Sequence, residues 1–267
     1  MWTYTSKNTR VLKMLDQLEK CGFDVLTRNH AAAILAQDFP QELNLLVRVL
    51  TEFRISLAEI VTGGGGEAGP TQRLRHELSD LNWRKHNFTV GISVDGHVRA
   101  GVSHEVDHVK FAEAGALALE IEWNNKDPFF DRDLENFQRL HALSAISVGI
   151  VITRGASMQE AFLKRITAWM ADAGLTGEED LDRLGIGSRT PAQRRAVADQ
   201  VTRGVPFSEA FARKFVADKF GQATTHWSKL EDRVLRGVGN PCPLLLIGLP
   251  EAILTDASAY SAASPEL

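Results

Sequence analysis

The chain has 267 residues, of which 44% are hydrophobic and 24% are charged, and its formal net charge is −4 at pH 7. This composition is ordinary for a globular protein, and the net charge does not indicate a nucleic-acid partner, so any basic surface must be local. No apolar run reaches the ~20 residues of a membrane helix, and the start lacks the apolar core of a secretory signal. Cys21 and Cys242 match no metal-binding spacing, so we expect two buried or partly buried free thiols in a cytoplasmic protein.

Helical patterns occupy the first 60 residues. Apolar residues recur at helical spacing over 8–22 and again over 40–61, which predicts a helical N-terminal part. A glycine-rich run at 62–70 lacks the Gly-Lys-Ser/Thr ending of a phosphate-binding loop, so it is interpreted as a flexible loop. A short helix is then predicted from Thr71.

Valine-rich alternation begins at residue 88 and indicates strands, with a hairpin turn at Asp95-Gly96. Two later segments are almost wholly apolar, as expected of strands that are covered on both faces. Further strands are predicted at 116–123, 147–155 and 242–249, with helices at 131–146, 158–174 and within 178–235. The sequence therefore predicts the α/β class, with a central mixed β-sheet flanked by helices.

No internal repeat or low-complexity tract divides the chain. We expect a single domain over residues 1–267, made of a helical N-terminal part (1–60), a core (61–250) that carries the candidate functional residues and a C-terminal tail (251–267).

Residues 104–108 read His-Glu-Val-Asp-His and match the zinc-protease pattern His-Glu-x-x-His. That chemistry needs a helix, so that His104 and His108 share one face and Glu105 acts as the base. The β-branched residues and glycines around the motif favour a strand instead. In a strand, Asp107 projects to the face opposite the two histidines.

Two glutamates one residue apart interrupt the predicted strand that follows. In a strand Glu120 and Glu122 share a face, with side-chain roots ~7 Å apart, while apolar neighbours fill the other face. Carboxylates at this range repel each other unless a cation compensates them. Two interpretations remain open from the residues alone: a Mg²⁺ or Mn²⁺ site completed by Asp107, or a solvated face with salt bridges to Lys110 or Lys126.

Asp107 followed by Glu120-x-Glu122 resembles the core of the PD-(D/E)XK nucleases, in the variant whose usual lysine is an acid. Within the sequence EWNNKDPFFDRDL, the pair looks like that of type II restriction endonucleases of the BglII/BamHI type, and the resemblance covers about residues 60–250. Two departures are present. Val106-Asp107 stands in place of the Pro-Asp dipeptide, and position 122 is glutamate, as in the BamHI variant.

The resemblance implies Mg²⁺-dependent hydrolysis of phosphodiester bonds, with Mn²⁺ as a substitute cofactor. It implies that Asp107 and Glu120 hold the metal together with the backbone carbonyl of Ile121, and that Glu122 orients or deprotonates the attacking water.

A further acid is expected from an upstream helix by the same resemblance. Glu77 is the candidate and Glu67 is the alternative. The implied substrate is double-stranded DNA with a short, palindromic site. A homodimer that cuts both strands, a cognate DNA methyltransferase in the host and no membrane association are also implied.

DNA contact requires local positive charge, which basic residues in the second half of the chain provide. Lys126 is interpreted as a phosphate contact or a surface salt bridge. The remaining candidate DNA-binding residues are Arg189, Arg194 and Arg195 by charge, and Thr224, Thr225 and His226 by resemblance only.

Two alternatives of other classes remain. One is a zinc-dependent hydrolase that uses His104, Glu105 and His108, with Glu122 or Asp127 as a third ligand. The other is a non-catalytic DNA-binding protein on the same fold, for which we expect the loss of one acid. All three candidate acids are present, which disfavours it.

Overall fold

A computed structural model describes residues 7–62, 68–186 and 189–256 of the chain. The helices are α1 (Lys7–Lys20), α2 (Ala31–Gln37), α3 (Pro40–Glu52), α4 (Leu57–Thr62), α5 (Gly69–Asp80), α6 (Phe129–Ala142), α7 (Ala156–Asp172), α8 (Glu178–Arg183), α9 (Pro191–Thr202), α10 (Phe207–Lys219) and α11 (Trp227–Leu235). The strands are β1 (Asp24–Arg28), β2 (Ile55–Ser56), β3 (Arg84–Val94), β4 (His97–Ala112), β5 (Gly115–Glu122), β6 (Val148–Arg154), β7 (Leu244–Leu249) and β8 (Leu254–Thr255).

Six strands form the central sheet in the order β1-β7-β6-β5-β4-β3. The three central strands β7, β6 and β5 are parallel, and the outer pairings are antiparallel. Every residue of β6 and β7 is buried, because helices cover both faces of the parallel part. The prediction of an α/β fold with a mixed central sheet flanked by helices is therefore confirmed.

The expectation of an all-helical segment up to residue 60 is wrong at β1. This strand forms one edge of the central sheet, where Asp24 to Arg28 pair antiparallel with Gly248 to Leu244. The short strand β2 pairs with β8 in a separate two-stranded sheet. The helix predicted from Thr71 begins two residues earlier, at Gly69, with Pro70 in its first turn.

The two faces of the sheet bury separate apolar clusters. Leu119, Ile150 and Ile247 point into a large cluster with the N-terminal helices, α5, α7 and α10. Ala118 and Val151 point the other way, into a smaller cluster with α6 and α11. Because side chains alternate along β5, its odd and even residues belong to different clusters.

The predicted hairpin turn is present between β3 and β4. Asp95 and Gly96 have φ angles of 51° and 78°. A two-residue type I′ hairpin turn requires this left-handed conformation at both central residues. Ile92 and Val94 are exposed near this end of the hairpin.

None of the described helices is long and apolar enough to cross a membrane. Cys242 is buried as expected, but Cys21 is exposed, which corrects the expectation that both thiols are at least partly buried. Burial raises the pKa of the Cys242 thiol to about 12.

Candidate active site

Strand β4 contains a register irregularity in its pairing with β3. Val106 lies opposite His86 and Val109 lies opposite Arg84, so β4 has one more residue than β3 between these pairs. A bulge of this kind changes the direction of the side chains next to it. It places Asp107 at the surface, next to the end of β5.

Asp107 and Glu120 are neighbours. The backbone N–H of Asp107 donates a hydrogen bond to Glu120 Oε1 at 3.3 Å. The Asp107 carboxylate is 57% exposed and lies 4.0 Å from Lys85 Nζ, which also pairs with Glu105 at 2.7 Å. The structure therefore brings together the two acids that the sequence predicted as metal ligands, with the Asp107 carboxylate on the solvent side.

Glu120 and Glu122 are both buried and share the face of β5 that packs against α6. Leu119 and Trp123 lie in the apolar cluster on the opposite face, as the two-residue period predicted. Asn125 Nδ2 donates to Glu122 Oε2 at 2.8 Å. The prediction that the glutamates share one face is confirmed, and the alternative of a solvated face is wrong.

A third buried acid, Asp133 of α6, was not identified from the sequence. Its side chain is only 1% exposed and lies close enough to Glu122 to raise the pKa of that carboxyl group. Arg132 donates to Asp133 Oδ1 at 2.8 Å from Nε, and its Nη2 lies 3.6 Å from Glu122 Oε1. The sequence does contain a signal for Asp133, because this acid interrupts the apolar stripe of α6 between Phe130 and Leu134.

Burial and mutual repulsion perturb all three buried carboxyl groups. Burial, and then the charge of Asp133, raises the pKa of Glu120 well above its usual value. Burial, and then the charge of Asp133, raises the pKa of Glu122 to about 8. Burial also raises the pKa of Asp133, against the opposing effects of Glu122 and Arg132. The raised pKa of Glu122 favours its protonated form at neutral pH, beside Asp133.

The raised pKa of Glu122 predicts that the stability of the fold depends on pH. The folded pKa of Glu122 is about 8 against an ordinary value of 4.5, so between these values the folded state binds more protons than the unfolded state. We expect the free energy of unfolding without divalent metal to fall by roughly 2 to 4 kcal/mol between pH 5 and pH 8 because of this group. Urea unfolding in EDTA measures it. In Glu122→Gln the free energy of unfolding should depend less on pH, whereas the exposed control Glu135→Gln should keep the pH dependence of the unmodified protein. The same pH dependence in all three proteins would contradict the prediction.

Glu77, the predicted further acid of the site, lies on α5, the helix that borders the cavity beside Asp107, and its place in the site stays a prediction. Glu77 is placed near Arg73, Glu52 and Asp80, whose charges act on its pKa after the dominant effect of burial, which raises it. Its neighbour His76 lines the cavity beside Asp107. The alternative candidate, Glu67, lies outside the described residues.

The zinc-site interpretation of residues 104–108 is also wrong. The motif lies within β4, as its flanks predicted, and not on a helix. His104 Nδ1 is 3.0 Å from Asn136 Oδ1 on α6, whereas His108 lines the cavity beside α5, so the two rings face opposite sides of the sheet. The bulge at Asp107 explains why the expected simple alternation fails here. Asp127, the possible third ligand, pairs with Lys229 and Arg233.

The sequence matches the family described as restriction endonuclease BglII/BglIII over residues 23–249, which contain β1 to β7 and all the acids described above. The chain belongs to this restriction endonuclease family. Members of the BglII/BglIII family cleave DNA at specific sequences, so the non-catalytic alternative is not supported. No curated protein matches the chain.

The acids of this BglII/BglIII family member are the right kind of donors for Mg²⁺, which prefers carboxylate oxygens. Within the described part of the chain, however, no three His, Cys, Asp or Glu side chains converge as a ready-made metal-binding group. The carboxylate of Asp107 is directed to Lys85, and that of Glu122 to Asn125 and Asp133. The acids therefore match Mg²⁺ in their chemistry and lie near one another. The Asp107 carboxylate must turn away from Lys85 before these carboxylates can bind one ion together.

A cavity of about 580 Å³ opens beside Asp107 on the α5 side of the sheet. Its wall includes Arg75, Arg84, Lys85 and His108. Burial lowers the pKa of His108, which keeps this imidazole neutral. Arg75, Arg84 and Lys85 were not identified from the sequence, because α5 and β3 contribute them separately to a cavity beside β4.

The predicted DNA-binding residues have unequal positions. Lys126 and Arg195 are exposed. Arg189 is only 11% exposed and pairs with Glu178 and Asp182, and Arg194 approaches the same two acids. These ion pairs neutralise the positive charge of Arg189 and Arg194, which the sequence analysis had assigned to contacts with DNA.

The segment that includes Thr224, Thr225 and His226 faces inward. Thr224 accepts a hydrogen bond from Arg154, and both Thr225 and His226 are buried. Burial lowers the pKa of His226 to about 4. Their positions correct the expectation of direct DNA contact by Thr225 and His226, because a buried side chain does not reach a duplex on the surface.

Proposed function

We propose that the protein is a type II restriction endonuclease that uses Mg²⁺, with Mn²⁺ as a substitute, to hydrolyse phosphodiester bonds of double-stranded DNA. The observation that carries this proposal is the placement of Asp107 against the buried pair Glu120 and Glu122, within the region that matches the family. Buried carboxylates with raised pKa values are the groups that a divalent cation would stabilise in their charged form.

Asp107 and Glu120 would hold the metal with the backbone carbonyl of Ile121. Bound Mg²⁺ supplies charge that polarises the scissile phosphate and lowers the pKa of water. Glu122 would orient the attacking water and accept its proton, which first requires that Glu122, whose pKa is raised to about 8, be deprotonated. Arg132 would steady this pair by its contacts to both acids.

DNA phosphates would contact exposed cations around this site. Lys126 follows the catalytic strand directly, and Arg195 lies exposed on α9. Arg75, Arg84 and Lys85 at the cavity add positive charge beside Asp107. Each chain has one set of catalytic acids and would therefore serve one strand. We infer from this that the DNA site is short and palindromic.

A palindromic duplex is most simply cut by a homodimer in which each protomer serves one strand. We propose this assembly on DNA, a cytoplasmic location and a cognate DNA methyltransferase that protects the host. The apolar stripe of α6 is used inside the protomer, where Phe130, Phe137 and Leu140 are fully buried, so this stripe is not the dimer surface.

The proposal is tested by incubating the purified protein with supercoiled plasmid and mixed-sequence DNA over a range of Mg²⁺ concentrations. We expect discrete fragments with identical ends, linear product without accumulation of nicked circles, and no cutting in EDTA. The mass of the protein alone and on a duplex that carries the mapped site should show two chains per site. Absence of cutting with either Mg²⁺ or Mn²⁺ would overturn the proposal, and a monomer that only nicks would overturn the dimer.

A further inference from the structure

Strands β3 and β4 extend beyond the rest of the central sheet as a two-stranded ribbon. Strand β4 has 16 residues but pairs with β5 only from His108 to Ala112, so its first part pairs with β3. We call residues 87–106 the β3–β4 ribbon. At about 3.4 Å per residue, the ribbon projects roughly 30 Å from Asp107 to the turn at Asp95 and Gly96.

The two faces of the β3–β4 ribbon differ in chemistry. On one face Phe88 packs against the smaller apolar cluster, on the side of α6. The other face lies on the side of Asp107, where Lys85 pairs with Glu105 and approaches the Asp107 carboxylate. Side chains alternate along both strands, so this second face also carries residues that are exposed and uncharged. We call these residues the polar face: Asn87, Thr89, Gly91, Gly101 and Ser103.

The polar face presents hydrogen-bonding groups without positive charge. The Ser103 hydroxyl donates to Asn87 Oδ1, which orients this amide and leaves its Nδ2 group as a donor. Thr89 lies directly opposite Ser103, and the charge of the nearby Glu105 is compensated by Lys85 at 2.7 Å. Amide and hydroxyl groups read base edges in the major groove, and a surface without Lys or Arg gains little from phosphate charge. The polar face therefore matches base edges rather than the DNA backbone.

Two glycines face each other on the polar face, because Gly91 pairs with Gly101. A Cβ atom at Gly91 would meet no described atom within 4 Å, and one at Gly101 would come no closer than 3.9 Å to the Val90 carbonyl oxygen. Neither glycine has a positive φ, so the described fold requires glycine at neither position. Glycine weakens a strand, and inside a strand it often marks a place that a ligand approaches closely. The pair therefore leaves the ribbon open to a molecule outside the chain.

We propose that the polar face of the β3–β4 ribbon enters the major groove of the DNA site and determines which bases are recognised. The groove is about 12 Å wide and admits a two-stranded ribbon. Asn87 and Thr89 lie about 7 and 14 Å along the ribbon from Asp107, a span of two to four base pairs at about 3.4 Å each. DNA on this face is thus continuous with the phosphate at Asp107. This inference rests on the proposed nuclease function and assigns its sequence specificity.

Thr89→Val removes a hydroxyl group but keeps the branched shape and the charge of the ribbon. We expect it to weaken binding to the cognate duplex by roughly five- to fiftyfold, because a base edge loses its partner. Binding to unrelated DNA and its salt dependence should not change, since no phosphate contact is lost. Gly91→Val should weaken cognate binding at least as much without lowering the melting temperature, because its side chain has open space.

Ile92→Thr is the matched control, because Ile92 is exposed beside Gly91 and its side chain lies on the opposite face. It should bind cognate and unrelated DNA like the unmodified protein. Fluorescence anisotropy in EDTA measures all these affinities. Replacement of purines by 7-deazapurines, which removes an acceptor only in the major groove, should weaken cognate binding of the unmodified protein.

A selection from random-sequence duplexes in EDTA finds the recognised sequence without any cleavage. The unmodified protein should enrich one palindromic motif, Thr89→Val should lose preference at one base pair of each half-site, and Gly91→Val should enrich no motif. An unchanged motif in both variants would overturn this inference and leave the nuclease function standing, as would tolerance of 7-deazapurines. A protein that enriches a motif through these residues but cuts no DNA would overturn the proposed function alone. No motif in the unmodified protein, equal losses for cognate and unrelated DNA, or the same loss in Ile92→Thr would also overturn the inference.

Discussion

Glu120→Gln is expected to reduce the rate of DNA cleavage by about a thousandfold, or ~4 kcal/mol of transition-state stabilisation, while DNA binding persists or strengthens. The amide keeps the size of the side chain and its acceptor for the Asp107 N–H, but it removes the charge that a metal ligand needs. Binding does not suffer, because a cluster of acids repels phosphate when no metal is bound. Single-turnover cleavage in Mg²⁺ and fluorescence anisotropy in EDTA measure the two effects.

Glu135→Gln is the matched control, because Glu135 lies on α6 two residues after Asp133 but is exposed and pairs with Arg139 four residues later. Its cleavage rate should equal that of the unmodified protein. If Glu120→Gln cleaves at the unmodified rate, Glu120 is not part of the metal site.

Arg154→Met is expected to lower the free energy of unfolding by about 3 to 4 kcal/mol, because it leaves several buried acceptors without a donor. Arg154 is fully buried at the end of β6 and donates to the carbonyl oxygen of Trp123 at 2.6 Å. It also donates to Thr224 Oγ1 at 2.7 Å, to the carbonyl of Thr225 and to Gln159. Its removal therefore loosens the end of the catalytic strand.

Urea unfolding at pH 7 measures this loss, and the melting temperature should fall by roughly 10 °C. Arg139→Met is the control, because Arg139 is 57% exposed and its ion pair contributes less than about 0.5 kcal/mol. A change below about 1 kcal/mol in Arg154→Met would show that water or neighbouring donors replace the guanidinium.

The sequence predicted the acids on the central strands well because local periodicity determines them. In β5 the two-residue period alone places Glu120 and Glu122 on one face and Leu119 on the other. The adjacency of Asp107 followed from the family resemblance and the strand order. The bulge at Asp107 was not predictable, since it depends on how β4 pairs with two different neighbours.

Contacts between distant segments explain the errors. Strand β1 is short and only partly buried, and it is recognisable as a strand only through its pairing with β7. On α5 the structure places His76, the neighbour of the predicted acid Glu77, on the wall of the cavity. Asp133 comes next to Glu122 because α6 packs on β5, a contact between segments that the sequence pattern does not reveal. The burial of Thr225 depends on Arg154, 71 residues earlier in the chain.

The pairing of β1 with β7 also has a consequence for the order in which the chain folds during synthesis. Strand β1 finds its neighbour in the sheet only when Leu244 to Leu249 have been made, and β7 itself fills the space between β1 and β6. At 5 to 20 residues per second, a ribosome needs about 10 to 40 s to add the intervening chain. The catalytic strand β5 emerges long before the sheet can close around it. For an enzyme that cuts DNA, late closure delays the appearance of activity until almost all of the family-matched region has left the ribosome.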